Sequence, residues 1–74
     1  MDQQEWNKHA ANFLKAEMAK QGVGYDDLIK RLGNLDVDET YKSISAKVNR
    51  GTFSFVFFMQ CMKALNQKTV RFEE

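Results

Sequence analysis

Apolar residues recur at helical spacing along this chain, and the pattern predicts four helices. The first covers residues 4–21, and Gly22 ends it because glycine adopts the left-handed conformation without strain. Its apolar face consists of Trp6, Ala10, Phe13, Leu14 and Met18. We expect Trp6 to anchor the core from this face.

The second and third helices are predicted to be shorter. The second covers residues 25–32, with carboxylates in its first turn, where they suit the helix dipole, and Gly33-Asn34 at its end. Asp38 is a good N-cap residue for a third helix over residues 39–49. The apolar side of that helix is Tyr41, Ile44 and Val48, while its opposite side, which includes Glu39, is small or charged.

The densest apolar segment follows Gly51 and predicts a fourth helix over residues 54–66. Thr52 or Ser54 is expected to cap this helix. With Ser54 as the N-cap residue, Phe53 is expected to pack on Phe58 as a hydrophobic staple. The phenylalanines also alternate as in a strand, but the apolar pattern continues through Leu65, over a length typical of a helix. Because the segment is apolar nearly all round, we expect this helix to run through the core.

Length and composition favour one all-α domain over residues 1–74. A chain of 74 residues without proline and with four glycines offers few of the turns that a strand-rich fold needs. The segment 69–72 is β-prone, because polar and apolar residues alternate in it. It either lies on the helices or pairs with the same segment of a second copy.

Several function classes lack the residues they require. The one cysteine, Cys61, excludes an intrachain disulfide and is expected to be buried and inert. One histidine, no glycine-rich phosphate loop and no metal-ligand spacing argue against an enzyme, a cofactor or a metal. The polar N-terminus is unlike a signal peptide, and no apolar run is long enough for a membrane. We therefore expect a cytoplasmic protein.

Charge is distributed unevenly, although the net charge is only +1. Residues 1–39 carry five Lys or Arg and eight Asp or Glu, whereas residues 40–72 carry six Lys or Arg and no acidic residue. An asymmetry of this kind indicates a basic face. It makes the predicted third helix the candidate for function.

The order of the helices resembles that of lambda-repressor-like (Cro or XRE) helix-turn-helix domains. The matching residues are Tyr25, Leu28, Leu32, Gly33, Ile44, Arg50, Gly51, Ala64 and Leu65. Residues 47–61 are also similar to a more specific group, a set of small bacterial domains of unknown function with an N-terminal tryptophan and an R-G-x-F-S-x-x-F-F-x-Q-C core. The resemblance implies a compact, helix-turn-helix-like domain and supplies no established activity.

If the third helix enters DNA, residue chemistry assigns the contacts. The candidate residues on helix 39–50 are Thr40, Lys42, Ser43, Lys47, Asn49 and Arg50, and Lys30 and Arg31 would flank it. Cations neutralise phosphates, arginine can also reach a guanine edge, and short polar side chains suit bases or backbone. Arg50 has an alternative role: bonding carbonyls or Asp38 to hold the Gly51 turn.

The sequence thus predicts a small DNA-binding protein that resembles a transcriptional regulator. Its partner would be double-stranded DNA, and two copies would give useful affinity by reading two half-sites. No membrane association is expected. The alternative is a protein-protein interaction module, such as an adaptor, antitoxin or inhibitor, that uses the same fold without binding DNA.

Overall fold

The computed structural model describes residues 1–71, which contain four helices and no strand. The helices are α1 (Gln3–Lys20), α2 (Tyr25–Gly33), α3 (Tyr41–Arg50) and α4 (Phe55–Ala64). The all-α, four-helix prediction is confirmed. Residues 69–71 of the β-prone segment belong to no helix or strand, and Phe72 lies outside the described residues.

Two helix starts follow from local capping chemistry. The Ser54 side chain accepts a hydrogen bond from the backbone N–H of Phe57, which confirms it as the N-cap of α4. The prediction of Asp38 as N-cap of α3 is wrong, because Thr40 takes that position. Thr40 and Ser43 each bond the other's backbone N–H through the side chain, and Asp38 has no such partner three residues on.

Residues with a left-handed backbone conformation follow α1, α2 and α4. At Gly22 (φ 66), the N–H of Val23 donates to the carbonyl of Met18 at 2.9 Å, the bond expected of a Schellman motif. The predicted stop of α2 at Gly33-Asn34 is confirmed, because the helix ends at Gly33 with Asn34 as its C-cap residue; the left-handed residue that follows is Asp36 (φ 62). Asn66 (φ 56) takes the left-handed conformation after α4.

The core is built from a narrow stripe on each helix. These stripes are Leu14 and Met18, Leu28 and Leu32, Ile44 and Val48, and Phe57, Cys61 and Leu65. In each stripe the residues lie four apart, which places them above one another on one helix face. α3 packs against α1 and α2, and α4 packs against α2.

Two expectations about the core are wrong. Trp6 is 55% exposed, because the buried stripe of α1 begins a turn later, at Ala11. α4 does not run through the core on all sides: it buries Phe57, Cys61 and Met62, whereas Phe55 is 73% exposed, and Val56 and Met59 are exposed as well. A helix that packs through one side leaves apolar residues of its other side facing solvent.

Gly51 joins α3 to the start of α4 and touches α1. It has φ 71, and a Cβ atom added there would lie 1.8 Å from the carbonyl oxygen of Asn7. Only glycine permits this approach, both because of its conformation and because of the space available. The contact holds the end of α3 against the first turns of α1, which decides what surrounds Arg50.

Candidate functional site

The outer face of α3 is exposed and basic. Ile44 and Val48 are fully buried, so the opposite side of the helix faces solvent. Lys42, Ala46 and Arg50 lie there, four residues apart, and all three are exposed. The side chains of Lys42 and Arg50 form no hydrogen bond or ion pair within residues 1–71. Arg50 therefore does not bond Asp38 or a carbonyl of the turn.

A polar groove runs between α1 and the end of α3, with a volume of about 370 Å³. Its cations are Lys8, Lys15 and Arg50, and none of its lining residues is acidic. The complete lining is Gln4, Asn7, Lys8, Ala11, Asn12, Lys15, Asn49 and Arg50. The groove thus continues the basic outer face of α3 onto α1.

Sequence reasoning missed Lys8 and Lys15. Both fall in the half of the chain that is rich in acidic residues, so the charge count assigned the basic face elsewhere. A signal was present: Gln4, Lys8, Asn12 and Lys15 form an acid-free polar stripe at helical spacing. The sequence did not show that α3 packs beside this stripe.

Asn49 is held in place at the edge of the groove. Its Nδ2 donates to the carbonyl of Ser45 at 2.8 Å and to the Tyr25 hydroxyl at 3.4 Å. The Tyr25 ring in turn packs edge-on against Tyr41, at 5.5 Å between centroids. These contacts fix the amide, which leaves its Oδ1 as the free acceptor at the surface.

Lys47 belongs to a different, structural cluster. Its Nζ lies 2.6 Å from Oε2 of Glu39 and 5.0 Å from the centre of the Phe57 ring. Glu39 was expected on the exposed side of the helix, but its side chain is only 7% exposed. Burial raises the pKa of Glu39, yet hydrogen bonds from Lys47 and Ser43 together lower it below the usual value.

The hydroxyl groups of Thr40 and Ser43 are also engaged. Thr40 Oγ1 accepts from the N–H of Ser43, and Ser43 Oγ accepts from the N–H of Thr40 and donates to Glu39 at 2.6 Å. These groups stabilise the start of α3. The structure thus separates the predicted contacts on α3 into two sets: Lys42, Arg50 and the Oδ1 of Asn49 are unpaired at the surface, whereas the polar groups of Thr40, Ser43 and Lys47 are engaged at the start of the helix and on Glu39.

Of the two flanking cations on α2, Arg31 is hydrogen-bonded and Lys30 is exposed. Arg31 extends towards the end of α4, where its NH1 lies 3.5 Å from the Ala64 carbonyl and 3.4 Å from Oε1 of Gln21. Its NH2 is 4.0 Å from Asp27.

The environment of Cys61 opposes ionisation of its thiol. Cys61 is buried, and its burial and the nearby charge of Glu39 raise its pKa to about 12, although Lys47 partly opposes this shift. The thiolate that a nucleophile requires is therefore not formed at neutral pH. Within residues 1–71, no three His, Cys, Asp or Glu side chains converge as a metal site requires. Nor is any helix in this range long and apolar enough to span a bilayer.

Family comparison agrees with the motif around Gly51. The model of DUF6471, a domain of unknown function, matches residues 6–70. The chain belongs to this family. The DUF6471 match includes Trp6 and the whole segment from Arg50 to Cys61, which confirms the more specific of the two resemblances seen in the sequence. No curated protein and no solved structure matches the chain.

Proposed function

We propose that this DUF6471 domain is a small DNA-binding protein of the helix-turn-helix type that presents α3 to duplex DNA. The observation that carries the proposal is the acid-free surface formed by the outer face of α3 and the groove beside α1. Four of its cations, Lys8, Lys15, Lys42 and Arg50, have no carboxylate partner within residues 1–71. Cations that a protein leaves unpaired on one face suit a polyanion.

The groups on this face suit different parts of DNA. Lys8, Lys15 and Lys42 are point charges suited to phosphates, whereas Arg50 can pair with a guanine edge through two parallel hydrogen bonds. Ala46 lies between Lys42 and Arg50, and its small side chain lets the helix backbone come close to a base pair. The oriented amide of Asn49 supplies a fixed polar group beside them.

The size of α3 is compatible with groove binding. Ten residues make a helix about 15 Å long, and the major groove is about 12 Å wide. Residues 34–40 separate α2 from α3, which is more than the turn of about 3–4 residues in a helix-turn-helix unit. The proposal therefore rests on the composition of the exposed face and not on the turn.

Salt dependence gives the first test. Three phosphate contacts, from Lys8, Lys15 and Lys42, predict a slope of about −2.7 in log K against log salt concentration, so affinity should fall roughly 40-fold between about 50 and 200 mM salt. Fluorescence anisotropy of a labelled duplex measures this slope. If the wild-type protein at high concentration causes no change in anisotropy at about 20 mM salt, DNA binding is refuted.

Matched variants locate the interface. Lys8→Ala with Lys15→Ala should reduce the magnitude of the salt slope by about 2, and Lys42→Ala by about 1. Lys63→Ala is the control, because Lys63 is an exposed lysine on α4, away from this face. Should Lys63→Ala change the slope as much as Lys42→Ala, binding is non-specific and the assigned face is wrong.

The protein-interaction alternative also has an observation in its favour, the exposed apolar side of α4. Backbone amide shifts discriminate between the two functions. Addition of duplex DNA should shift amides of residues 42–50 and of α1 near Lys8 and Lys15. A protein captured from nuclease-treated lysate, with no DNA-induced shifts, would favour the interaction module.

A further inference from the structure

Aromatic and methionine side chains form one continuous surface across α1 and α4. We call it the aromatic face, and its members are Trp6, Phe13, Phe53, Phe55, Phe58 and Met59. The ring of Phe58 connects them, with its centroid 6.0 Å from that of Phe13, 6.3 Å from Phe53 and 6.4 Å from Phe55. The stacking of Phe53 on Phe58 is the predicted hydrophobic staple.

The aromatic face has a hollow on each side of Phe58. One, of about 230 Å³, is lined by Trp6, His9, Ala10, Phe13, Phe53 and Phe58. The other is a groove of about 450 Å³ beside Phe58, Met59, Met62 and Val70. Phe55 lines the same groove at its edge with α4 and is 73% exposed. One surface therefore carries both an exposed ring and a groove large enough for a ring.

The exposed area is close to what a dimer of small subunits needs. An aromatic side chain has about 150–250 Å² to bury, so Phe55 at 73% and Trp6 at 55% exposure together leave on the order of 250 Å² uncovered. Val56, Met59 and the half-buried rings raise this to roughly 500 Å². Two such faces in contact bury about 1,000 Å², the lower limit for a specific interface.

Charge favours a second copy over a charged partner. No member of the aromatic face has an ionisable side chain, and the smaller hollow has no Asp, Glu, Lys or Arg in its lining. Among the described residues that line the larger groove, the charged ones are Lys63 and Lys68. The surface that a second copy would cover is therefore mostly uncharged, and tryptophan, phenylalanine and methionine are the residues enriched in interface cores.

We propose that the aromatic face is the interface of a weak, symmetric homodimer in which Phe55 of each copy enters the groove of the other. The arrangement is isologous, because the exposed ring and the groove belong to the same surface, so it closes at two copies. The interface shares no residue with the basic surface of α3 and α1. Each copy in the dimer would keep that surface exposed.

Measurement of mass against concentration tests the proposal. Between about 5 and 500 µM, the mass from light scattering should rise from 8.6 kDa towards twice that value. Phe55→Glu should hold the protein at the mass of one chain throughout. The variant should fold, because Phe55 is exposed in the first turn of α4, where a carboxylate is favoured by the helix dipole. Equal melting temperatures at low concentration verify this.

Leu35→Glu is the matched control, since Leu35 is an exposed apolar residue in the connection between α2 and α3, outside the aromatic face. It should associate as the wild type does. A wild type that stays monomeric at the highest concentration overturns the proposal, as does association of Phe55→Glu at the wild-type concentration or growth beyond two copies.

Deletion of residues 72–74 distinguishes a second copy from this segment as the occupant of the groove. Val70 lines the groove, and residues 72–74 lie just beyond Val70 and Arg71 in the sequence, so this segment is the alternative occupant to a second copy. Removal of residues 72–74 should leave the concentration dependence unchanged. If only the shortened chain dimerises, this segment covers the groove and the proposal fails. None of these measurements involves DNA, so either proposal can fail without the other.

Discussion

Replacement of Gly51 by alanine should be among the most damaging single changes in this protein, and the magnitude follows from two separate terms. A left-handed backbone costs a residue with a Cβ about 1–2 kcal/mol. The added methyl group would also lie 1.8 Å from the oxygen and 2.6 Å from the carbon of the Asn7 carbonyl. These are backbone atoms, so α1 must move, and forced repacking of this kind costs about 1–3 kcal/mol.

The expected loss of about 2–5 kcal/mol is large for this chain. Stabilities of about 0.05–0.15 kcal/mol per residue correspond to about 4–11 kcal/mol for 74 residues. At about 4–8 °C for each kcal/mol, Gly51→Ala should lower the melting temperature by roughly 10–40 °C. Thermal unfolding followed by circular dichroism measures the change.

Two other glycines serve as controls. Gly22 has nearly the same φ (66), but no atom lies within 4 Å of an added Cβ, so Gly22→Ala should cost only the conformational term and roughly 5–15 °C. Gly33 is helical with open space around it, so Gly33→Ala should be neutral or stabilise by about 0.5–1 kcal/mol. Equal losses for Gly51→Ala and Gly22→Ala would refute the close contact between α1 and the turn.

Two further predictions concern buried ionisable groups. Lys47→Ala should destabilise the protein at pH 7 by about 1–3 kcal/mol more than Lys42→Ala, because it leaves the buried carboxylate of Glu39 without its cationic partner. Denaturant unfolding measures the difference, and equal losses for the two variants would contradict the ion pair. The pKa of Glu39 is lowered in the fold, so the stability that this ion pair contributes is present above the unfolded pKa near 4.5 and is lost as pH falls through the folded pKa. Glu39→Gln should remove this loss of stability in acid. Cys61, with its pKa raised to about 12, should react with thiol reagents only on unfolding, and reaction at the rate of an exposed thiol at pH 8 would show that it is not buried. Because the thiol ionises first in the unfolded chain, the free energy of unfolding should fall as pH rises above about 9.

The helices of this protein were predictable because their signals are local. The spacing of Leu14 and Met18, the cap at Ser54 and the left-handed glycine at Gly22 act within one or two turns of chain. The buried stripes follow from the same periodicity. The N-cap of α3 was mistaken because Asp38 and Thr40 are both good caps, and the partner at Ser43 decided between them.

The exposed surfaces were harder to predict, because composition does not say which side of a helix meets another helix. The apolar first turn of α4 looked like core, yet Phe55 faces solvent because α4 packs on α2 through a different stripe. Lys47 looked like a free cation, but the chain folds back so that Glu39 reaches it. In both cases the deciding contact lies outside the local pattern.

The sequence by itself therefore determined four helices, their approximate ends, their buried stripes and a basic character in the second half of the chain. Tertiary structure alone decided that α3 lies beside the polar stripe of α1, where Lys8 and Lys15 join Arg50. It also decided that aromatic side chains of α1 and α4 share an exposed face. The physical reason is that helix formation depends on neighbours along the chain, whereas a surface is defined by which faces remain after packing.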